Sequence, residues 1–474
     1  MAHPMNDVVV VLPGIMGSRL WREGAPVWEP SRGAAVSALT SLMRSVRSLG
    51  LPDGLGDDHP GDGVEAVGLM PDLRLPFGIW TFDLGYDAVL GFLRTSFDLI
   101  EAVPGRDRPA NLVAFPYDWR LSNRYNGERL GCVAERALER WRGQGGPFAD
   151  AELVFIAHSM GGLVARWYLD HLGGAALTRK LITLGTPHRG SLKALEQLGN
   201  GVRKGPGPFK VNLTEFARSM PSLHQLLPEY ACIEHDGGLV KTTEVFVPEL
   251  TTAMVSDAML FHDQIDGGPP GTEGESSAAY ALHPICGFRQ PTWTTARFES
   301  GRVVPSCAIH DEDEGGDATV PRLAAAPVDI ELDSAVIHHV ADNHGGLVHN
   351  RSVFDELEGI LSASKVRHRG GEVGLSVEIH EILEAGEPLR VSARASNGER
   401  VALEVVVRDG IGKPIDTIRL ADSGGVHQTD FVPPGPDVFQ VTVQGAGPAR
   451  HRVTAVTTAV LVWPPESSFE AELD

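Results

Sequence analysis

The sequence predicts an α/β domain built on a mostly parallel sheet, interrupted by an inserted cap and followed by a separate all-β sandwich. Three observations predict this. From Val8 to about Ser364, short apolar runs alternate with segments of helical period, the pattern of βαβ units. Between about Ser191 and Thr295 that rhythm breaks. Beyond Lys365–Glu372 the apolar period changes from about 3.6 to about 2 residues.

Size and charge agree with such a chain. Its 474 residues suffice for roughly two to four structural units, and 42% hydrophobic with 22% charged residues describes a chain that buries a large core. The formal net charge of −21 excludes a nucleic-acid binder, which needs Lys and Arg to neutralise phosphates, and allows at most transient membrane contact. The start MAHPMND is polar, and the apolar run after it is too short for a secretory leader. No stretch approaches the ~20 apolar residues of a membrane helix, so a cytoplasmic protein is expected. The four cysteines, Cys132, Cys232, Cys286 and Cys307, are spaced for neither a zinc site nor a tight disulfide frame. Four buried free thiols are expected, with a Cys286–Cys307 pair as the alternative. No metal or cofactor is expected.

In chain order, the expected strands are Val8–Leu12, Asn111–Phe115, Glu152–Ala157, Lys180–Leu184, Arg302–Ile309 and Ser334–Val340. The expected helices are Ala88–Leu99, Gly127–Arg142, Met160–Leu172 and Leu347–Ser362; in the third, Leu163, Val164, Trp167 and His171 recur at helical spacing and form a packing face. The turn-rich stretch from about 191 to 295 reads as a cap over a site. KVRHRGGE is a basic linker, which divides the chain into a catalytic domain over 1–366, a linker over 367–372 and a sandwich over 373–474. In the last, alternation over Val373–Ile379, Leu389–Ser396, Val401–Val407, Thr417–Leu420, Val438–Val443 and Val453–Trp463 gives six or seven short strands, with Asn397-Gly398 as a hairpin turn. That count suggests an immunoglobulin-like sandwich. A chain ending near residue 366 is expected to fold alone and keep its chemistry on small substrates.

The sharpest chemical signal is VFIAHSMGGLVARWYL. An apolar strand leads through Ala157-His158-Ser159-Met160-Gly161 into a helix, the nucleophile elbow G-x-S-x-G with Ala at the first small position. Small residues flank the serine because the turn is sharp. The helix N-terminus behind it favours developing negative charge. A serine needs a base and an orienting acid, which follow in the order Ser, Asp, His for this type of turn. Five carboxylates occur in HDEDEGGDATVP; the first four read as a solvated acidic turn or a calcium loop, whereas Asp317, after two glycines and before Thr-Val-Pro, is the candidate acid. His344, followed by Gly345-Gly346, is the candidate base. His338 and His339 lie in the preceding strand and His349 in the following helix, where structural roles are expected. For an oxyanion hole, the backbone N–H of Met160 and that of Ile15, in the loop Pro13-Gly14-Ile15-Met16-Gly17-Ser18 after the first strand, are the candidates.

VVVLPGIMGSRLW, FPYDWR, AHSMGGLVARWYL, LGTPHRGS, GDATVP and NHGGLVHN occur in the order seen in the lecithin:cholesterol acyltransferase-like family, which the chain resembles from about Val8 to Leu361. The resemblance implies an α/β-hydrolase fold, Ser159, Asp317 and His344 as a triad, Ile15 as an oxyanion donor, and acyl-ester chemistry on lipids. FPYDWR and Trp28 resemble family positions near the site. Secreted relatives close a lid with an N-terminal disulfide, and residues 1–131 here contain no cysteine. The apolar stretch Leu69 to Trp80, with Phe77, stands where relatives carry membrane-contact elements; buried packing is the alternative.

Three functional readings follow. One is a serine hydrolase or acyltransferase acting on a phospholipid or neutral lipid. Another is a soluble carboxylesterase or thioesterase acting on a non-lipid ester. The third is an interaction protein whose sandwich binds a protein partner and recruits the hydrolase domain.

Overall fold

The computed structural model describes residues 2–29, 49–77, 80–103, 105–106, 108–204, 211–247, 249–267, 280–310, 312–362, 373–395 and 399–464. The expected linker and Asn397-Gly398 lie outside the described residues.

Among the described residues, six strands form the central sheet: β1 (Val8–Leu12), β2 (Leu112–Ala114), β3 (Leu153–His158), β4 (Thr178–Leu184), β5 (Ala281–Gly287) and β6 (His338–Val340). Their order is 6-5-4-3-1-2, and every neighbouring pair is parallel. Strands β1 and β3 are buried along their whole length, as expected for central strands of a sheet covered on both faces. Successive residues point to opposite sides. Val8, Val10, Leu153 and Phe155 pack with α2 (Asn123–Arg142) and α3 (Gly161–Arg166) through Leu130, Leu138, Leu163 and Val164. Val9, Val11, Val154 and Ile156 pack instead with α1 (Asp87–Ser96) and α8 (Arg351–Ser362) through Leu90, Leu93, Val353 and Leu357. A parallel sheet with helices on both faces, carrying a strand–elbow–helix unit at its centre, is the α/β-hydrolase arrangement. Among the described residues no helix is long and apolar enough to cross a membrane.

Three sequence assignments change. The fifth strand of the sheet is β5, within the stretch read as cap, so the insertion does not run unbroken from 191 to 295. Its sequence ALHPICG carries His283 and Pro284 and gives little strand signal. Arg302–Ile309 does not enter the central sheet. Arg302–Ser306 pairs antiparallel with Thr295–Glu299 across Ser300-Gly301, both at positive φ, a tight hairpin turn. The insertion contributes α4 (Leu192–Asn200), α5 (Thr214–Ser219), α6 (Pro221–His224) and α7 (Thr252–Asp266), whose Leu195, Phe216, Leu223 and Phe261 join the first core. All four cysteines are free thiols, but only Cys232 and Cys286 are buried; Cys132 is exposed and Cys307 half-buried.

The C-terminal region is all-β, with nine strands in two sheets among the described residues. These are β7 (Leu375–Ile379), β8 (Ile382–Glu384), β9 (Leu389–Ala395), β10 (Leu403–Arg408), β11 (Pro414–Arg419), β12 (Ala421–Ser423), β13 (Val426–Phe431), β14 (Asp437–Gly445) and β15 (Val456–Trp463). One sheet has the order 7-9-13-12 and the other 8-15-14-10-11. Leu389, Val391, Val405, Phe439, Val441 and Val460 fill the space between them. Strand β15 departs from the expected alternation: it is an almost continuous apolar run, buried on both faces. Its second face, Ala459, Leu461 and Trp463, joins the core of the α/β domain. Leu73–Phe77 and Trp80–Leu84 form an antiparallel hairpin whose backbone runs against β15. The side chains of Phe77 and Trp80, expected to contact a membrane, lie outside the described residues.

Candidate active site

Strand β3 ends at His158, opposite Leu184 at the end of β4, and Ser159 turns away from the sheet with its N–H donated to Leu184 O at 2.9 Å. Its φ is +52°, the left-handed conformation that a nucleophile elbow imposes on a non-glycine residue. The turn fits only because its neighbours are bare. A Cβ on Gly161 would stand 2.4 Å from Pro13 O, and one on Gly162 would stand 2.1 Å from Thr186 Oγ1. Thr186 uses that hydroxyl to hold the elbow, donating to Ser159 O at 2.9 Å.

The three residues expected as a triad come together although 185 positions separate Ser159 from His344. His344 Nε2 lies 2.8 Å from Ser159 Oγ, and His344 Nδ1 lies 2.7 Å from Asp317 Oδ2. The carboxylate can only accept from Nδ1–H, which leaves the Nε2 lone pair to accept from the serine hydroxyl. All three are buried, at 1% exposure for Ser159, 1% for Asp317 and 3% for His344. Asp317 follows β5 in space. Gly287 ends that strand so close that a Cβ there would meet the Asp317 Cβ at 2.5 Å, and Gln290 N–H donates to Gly316 O at 3.0 Å. The other carboxylate oxygen, Oδ1, accepts the N–H groups of Thr319 at 3.0 Å and Val320 at 2.6 Å. Asp313 is exposed and hydrogen-bonds within its own turn; Asp311 lies outside the described residues. His338 pairs with Glu356 at 2.9 Å and His349 with Asp72 at 3.2 Å, each away from Ser159. His349 precedes α8 rather than lying inside it.

The loop after β1 lies against the serine. A Cβ on Gly14 would stand 2.8 Å from Ser159 Cβ and 3.3 Å from its Oγ. Four side chains fix this loop. Tyr86 Oη accepts the Gly14 N–H at 2.7 Å; Tyr117 donates to Pro13 O at 2.8 Å, Trp28 to Met16 O at 2.9 Å and Trp119 to Ser18 O at 3.2 Å. Trp28 and Trp119 also pack edge to face, 5.5 Å apart. Met16 takes φ +62° and turns the chain immediately after Ile15. Among the described residues, neither the Ile15 nor the Met160 N–H has an acceptor in the protein. FPYDWR is therefore scaffolding for this loop. Its Arg120, fully buried, is neutralised by Asp118 at 2.6 Å and Asp62 at 2.8 Å.

Sequence reasoning missed several supports. Tyr86 Oη also donates to His158 Nδ1 at 2.9 Å, and His158 Nε2–H donates to His344 O at 3.2 Å. Burial, and then the nearby His344, push the His158 pKa down to about 3. A neutral His158 is the state that can accept at one nitrogen and donate at the other. Gly185, at φ +59°, lies under the Asp317–His344 pair: a Cβ there would stand 3.0 Å from Asp317 Oδ2 and 3.1 Å from His344 Nδ1. Ser191 Oγ donates to Thr319 O at 2.5 Å, so LGTPHRGS supports both the elbow and the Asp317 loop. The aromatic and glycine positions were visible in the sequence; their contacts depend on residues over 70 positions away.

The family model described as lecithin:cholesterol acyltransferase matches residues 94–264. The match contains Ser159 and Met160 and ends before Asp317 and His344. Lysosomal phospholipase A and acyltransferase of Bos taurus is 28% identical over 138 residues, which are 27% of this chain and 32% of that protein. The chain thus spans about a third of the length of that curated relative. The lipase BlEst2 of Bacillus licheniformis is similar in its mature form at 12% identity, covering 76% of this chain and 94% of that chain, with a TM-score of 0.37. Its propeptide form is similar at 10% identity over 97% and 94% of the two chains, with a TM-score of 0.37. Over the matched residues, which carry its elbow, this chain is similar to the lecithin:cholesterol acyltransferase family.

Proposed function

We propose that the protein is a serine acyl-ester hydrolase or acyltransferase acting on lipid esters, with Ser159 as nucleophile, His344 as general base and Asp317 as orienting acid. The observation that carries this reading is the unbroken path from Ser159 Oγ through both ring nitrogens of His344 to Asp317 Oδ2. Ser159 Oγ attacks the ester carbonyl carbon as His344 Nε2 takes the hydroxyl proton. The carbonyl oxygen becomes an oxyanion, held by the N–H groups of Ile15 and Met160. Collapse expels the alcohol, which leaves with the proton from His344, and the acyl group stays on Ser159. Water or a second alcohol, deprotonated by His344, then attacks the acyl carbonyl, and Ser159 Oγ leaves with that proton from His344 Nε2. The lipid substrate class rests on the family match and on the name of the curated relative.

The same proposal takes the C-terminal region as an immunoglobulin-like sandwich. The order 7-9-13-12 corresponds to the A-B-E-D sheet of that fold once the short β8 is set apart, and β15, β14 and β10 correspond to its G, F and C strands.

The test is incubation of the full chain with a fluorophosphonate, followed by peptide mapping and by turnover of phospholipid vesicles and a short-chain p-nitrophenyl ester. Labelling at Ser159 with preferred turnover of the vesicles is the expected result. Labelling with turnover of the soluble ester alone would move the substrate class to non-lipid esters, and absence of labelling would overturn the enzyme reading.

A further inference from the structure

We propose that the C-terminal sandwich is part of the active-site framework, with Asn343 and Gln290 as positioning residues that tie the base and acid loops to it. This rests on the triad reading above. Asn343 immediately precedes His344. Its Nδ2–H donates to Thr457 O in β15 at 2.6 Å, while its Oδ1 accepts the Gly346 N–H at 2.8 Å. The side chain therefore closes the base loop on itself and fastens it to the sandwich.

The acid loop is tied in the same way. Gln290 makes backbone bridges to Gly316 and Asp317, and its Nε2–H donates to Leu375 O in β7 at 2.9 Å. Each loop thus reaches the sandwich through one primary amide and a main-chain carbonyl. Both amides border a cleft of about 460 Å³ between the two regions, also lined by Pro291, Ala318, Ile379 and Glu381. Packing is incomplete there, so hydrogen bonds set the loop positions where close-packed side chains would otherwise do so. The contact is not a loose tether, because the second face of β15 lies in the core of the α/β domain and β15 adjoins the Gly346–Val348 turn.

The 2.8 Å bond between Ser159 and His344 tolerates little displacement of the histidine, since proton transfer depends on that separation. The sandwich accordingly acts on turnover rather than only on recruitment, and a chain ending near residue 366 would lose chemistry even on small esters.

Asn343→Asp separates the two functions of the side chain: it keeps an acceptor for Gly346 N–H and sets a carboxylate against Thr457 O. The full-length variant, with Asn343→Ala and Gln290→Glu, is compared with wild type well below the melting temperature. Readouts are kcat and KM on a short-chain p-nitrophenyl ester, the rate of fluorophosphonate labelling of Ser159, and the thermal melt. The expected result is a fall of about tenfold in kcat and a parallel fall in labelling rate, with KM within about twofold and a cooperative melt retained. Ile411→Ser, on an exposed turn of the sandwich, keeps wild-type kcat. If wild type is labelled and Asn343→Asp matches it in kcat and labelling, the sandwich does not position the loop and the proposal fails. If wild type is itself unlabelled, the triad reading fails first. A variant with a lowered melt but unchanged kcat would make Asn343 purely structural, which also overturns the proposal.

Discussion

Tyr86 Oη stands 2.9 Å from His158 Nδ1, and through this contact the loop after β1 and the His344 loop share one hydrogen-bonded chain. Gly14 N–H donates to the tyrosine, the tyrosine to the histidine, and the histidine to the carbonyl of His344. Phe in place of Tyr86 keeps the ring and leaves two buried polar groups without partners, at about 1–3 kcal/mol for each. The expected outcome for Tyr86→Phe is a fall in kcat of about 10- to 100-fold with a correctly folded chain. Unchanged kcat on a soluble ester would mean that the shared chain has no bearing on the chemistry.

Ser159→Ala is expected to abolish ester cleavage, by a factor of about 10⁴–10⁶, and to leave the melt nearly unchanged. Assaying it on a p-nitrophenyl ester, with contaminating esterase excluded by a mock purification, checks both parts.

The acid and base assignments separate cleanly by mutation. Asp317→Asn and His344→Ala are expected to lose at least about 10³-fold in kcat. Asp313→Asn and His338→Ala are expected to stay within about twofold, because neither side chain approaches Ser159. A dead Asp313 variant beside an active Asp317→Asn would reverse the assignment.

Gly14→Ala adds a methyl group 2.8 Å from Ser159 Cβ, with the Tyr86 bond to the Gly14 N–H opposing retreat of the loop. The expected result is severe loss of kcat with a modest change in melting temperature. Comparing its fluorophosphonate labelling with that of Gly91→Ala controls for the cost of a methyl at a glycine, since a Cβ on Gly91 would meet nothing within 4 Å and its φ is not positive.

Stability is expected to fall on acidification from about pH 7 to pH 4. Burial lowers His158 to about 3 and His224, His262 and His283 to about 4, with His188 also far below its ordinary value of 6.5. In this window the unfolded chain binds protons at these histidines and the folded chain does not, so protonation favours unfolding. Their contribution is complete above pH 6.5 and is lost as pH falls towards the folded values. Asp170 and Asp266, raised chiefly by burial, act in the opposite sense and are fewer. Melting temperatures from pH 7.5 to 4.5 measure the sum; a flat or rising trend on acidification would contradict it.

The sequence by itself determined what depends on neighbours along the chain. Ser159 was legible because an apolar strand, a small-x-Ser-x-Gly turn and a helix are contiguous there. Asp317 and His344 stood out as candidates because each stands beside glycines after a run that reads as a strand, although the run before Asp317 does not join the central sheet. The presence of β1 to β4 along the chain and the change to an all-β period in the C-terminal region follow from local period in the same way. What lies across the fold was decided only by tertiary structure. Strand β5 is weak in isolation and is a strand because β4 and β6 flank it in the sheet. Arg302–Ser306 has a strand's composition yet pairs in a local hairpin, because Ser300-Gly301 makes the nearer partner available. The positions of Tyr86, Thr186 and Gly185 beneath the site, and of Asn343 against Thr457, arise from contacts between segments far apart in the chain. Local propensity fixes which residues can turn or extend, whereas a hydrogen bond between distant segments exists only once the core has brought them together.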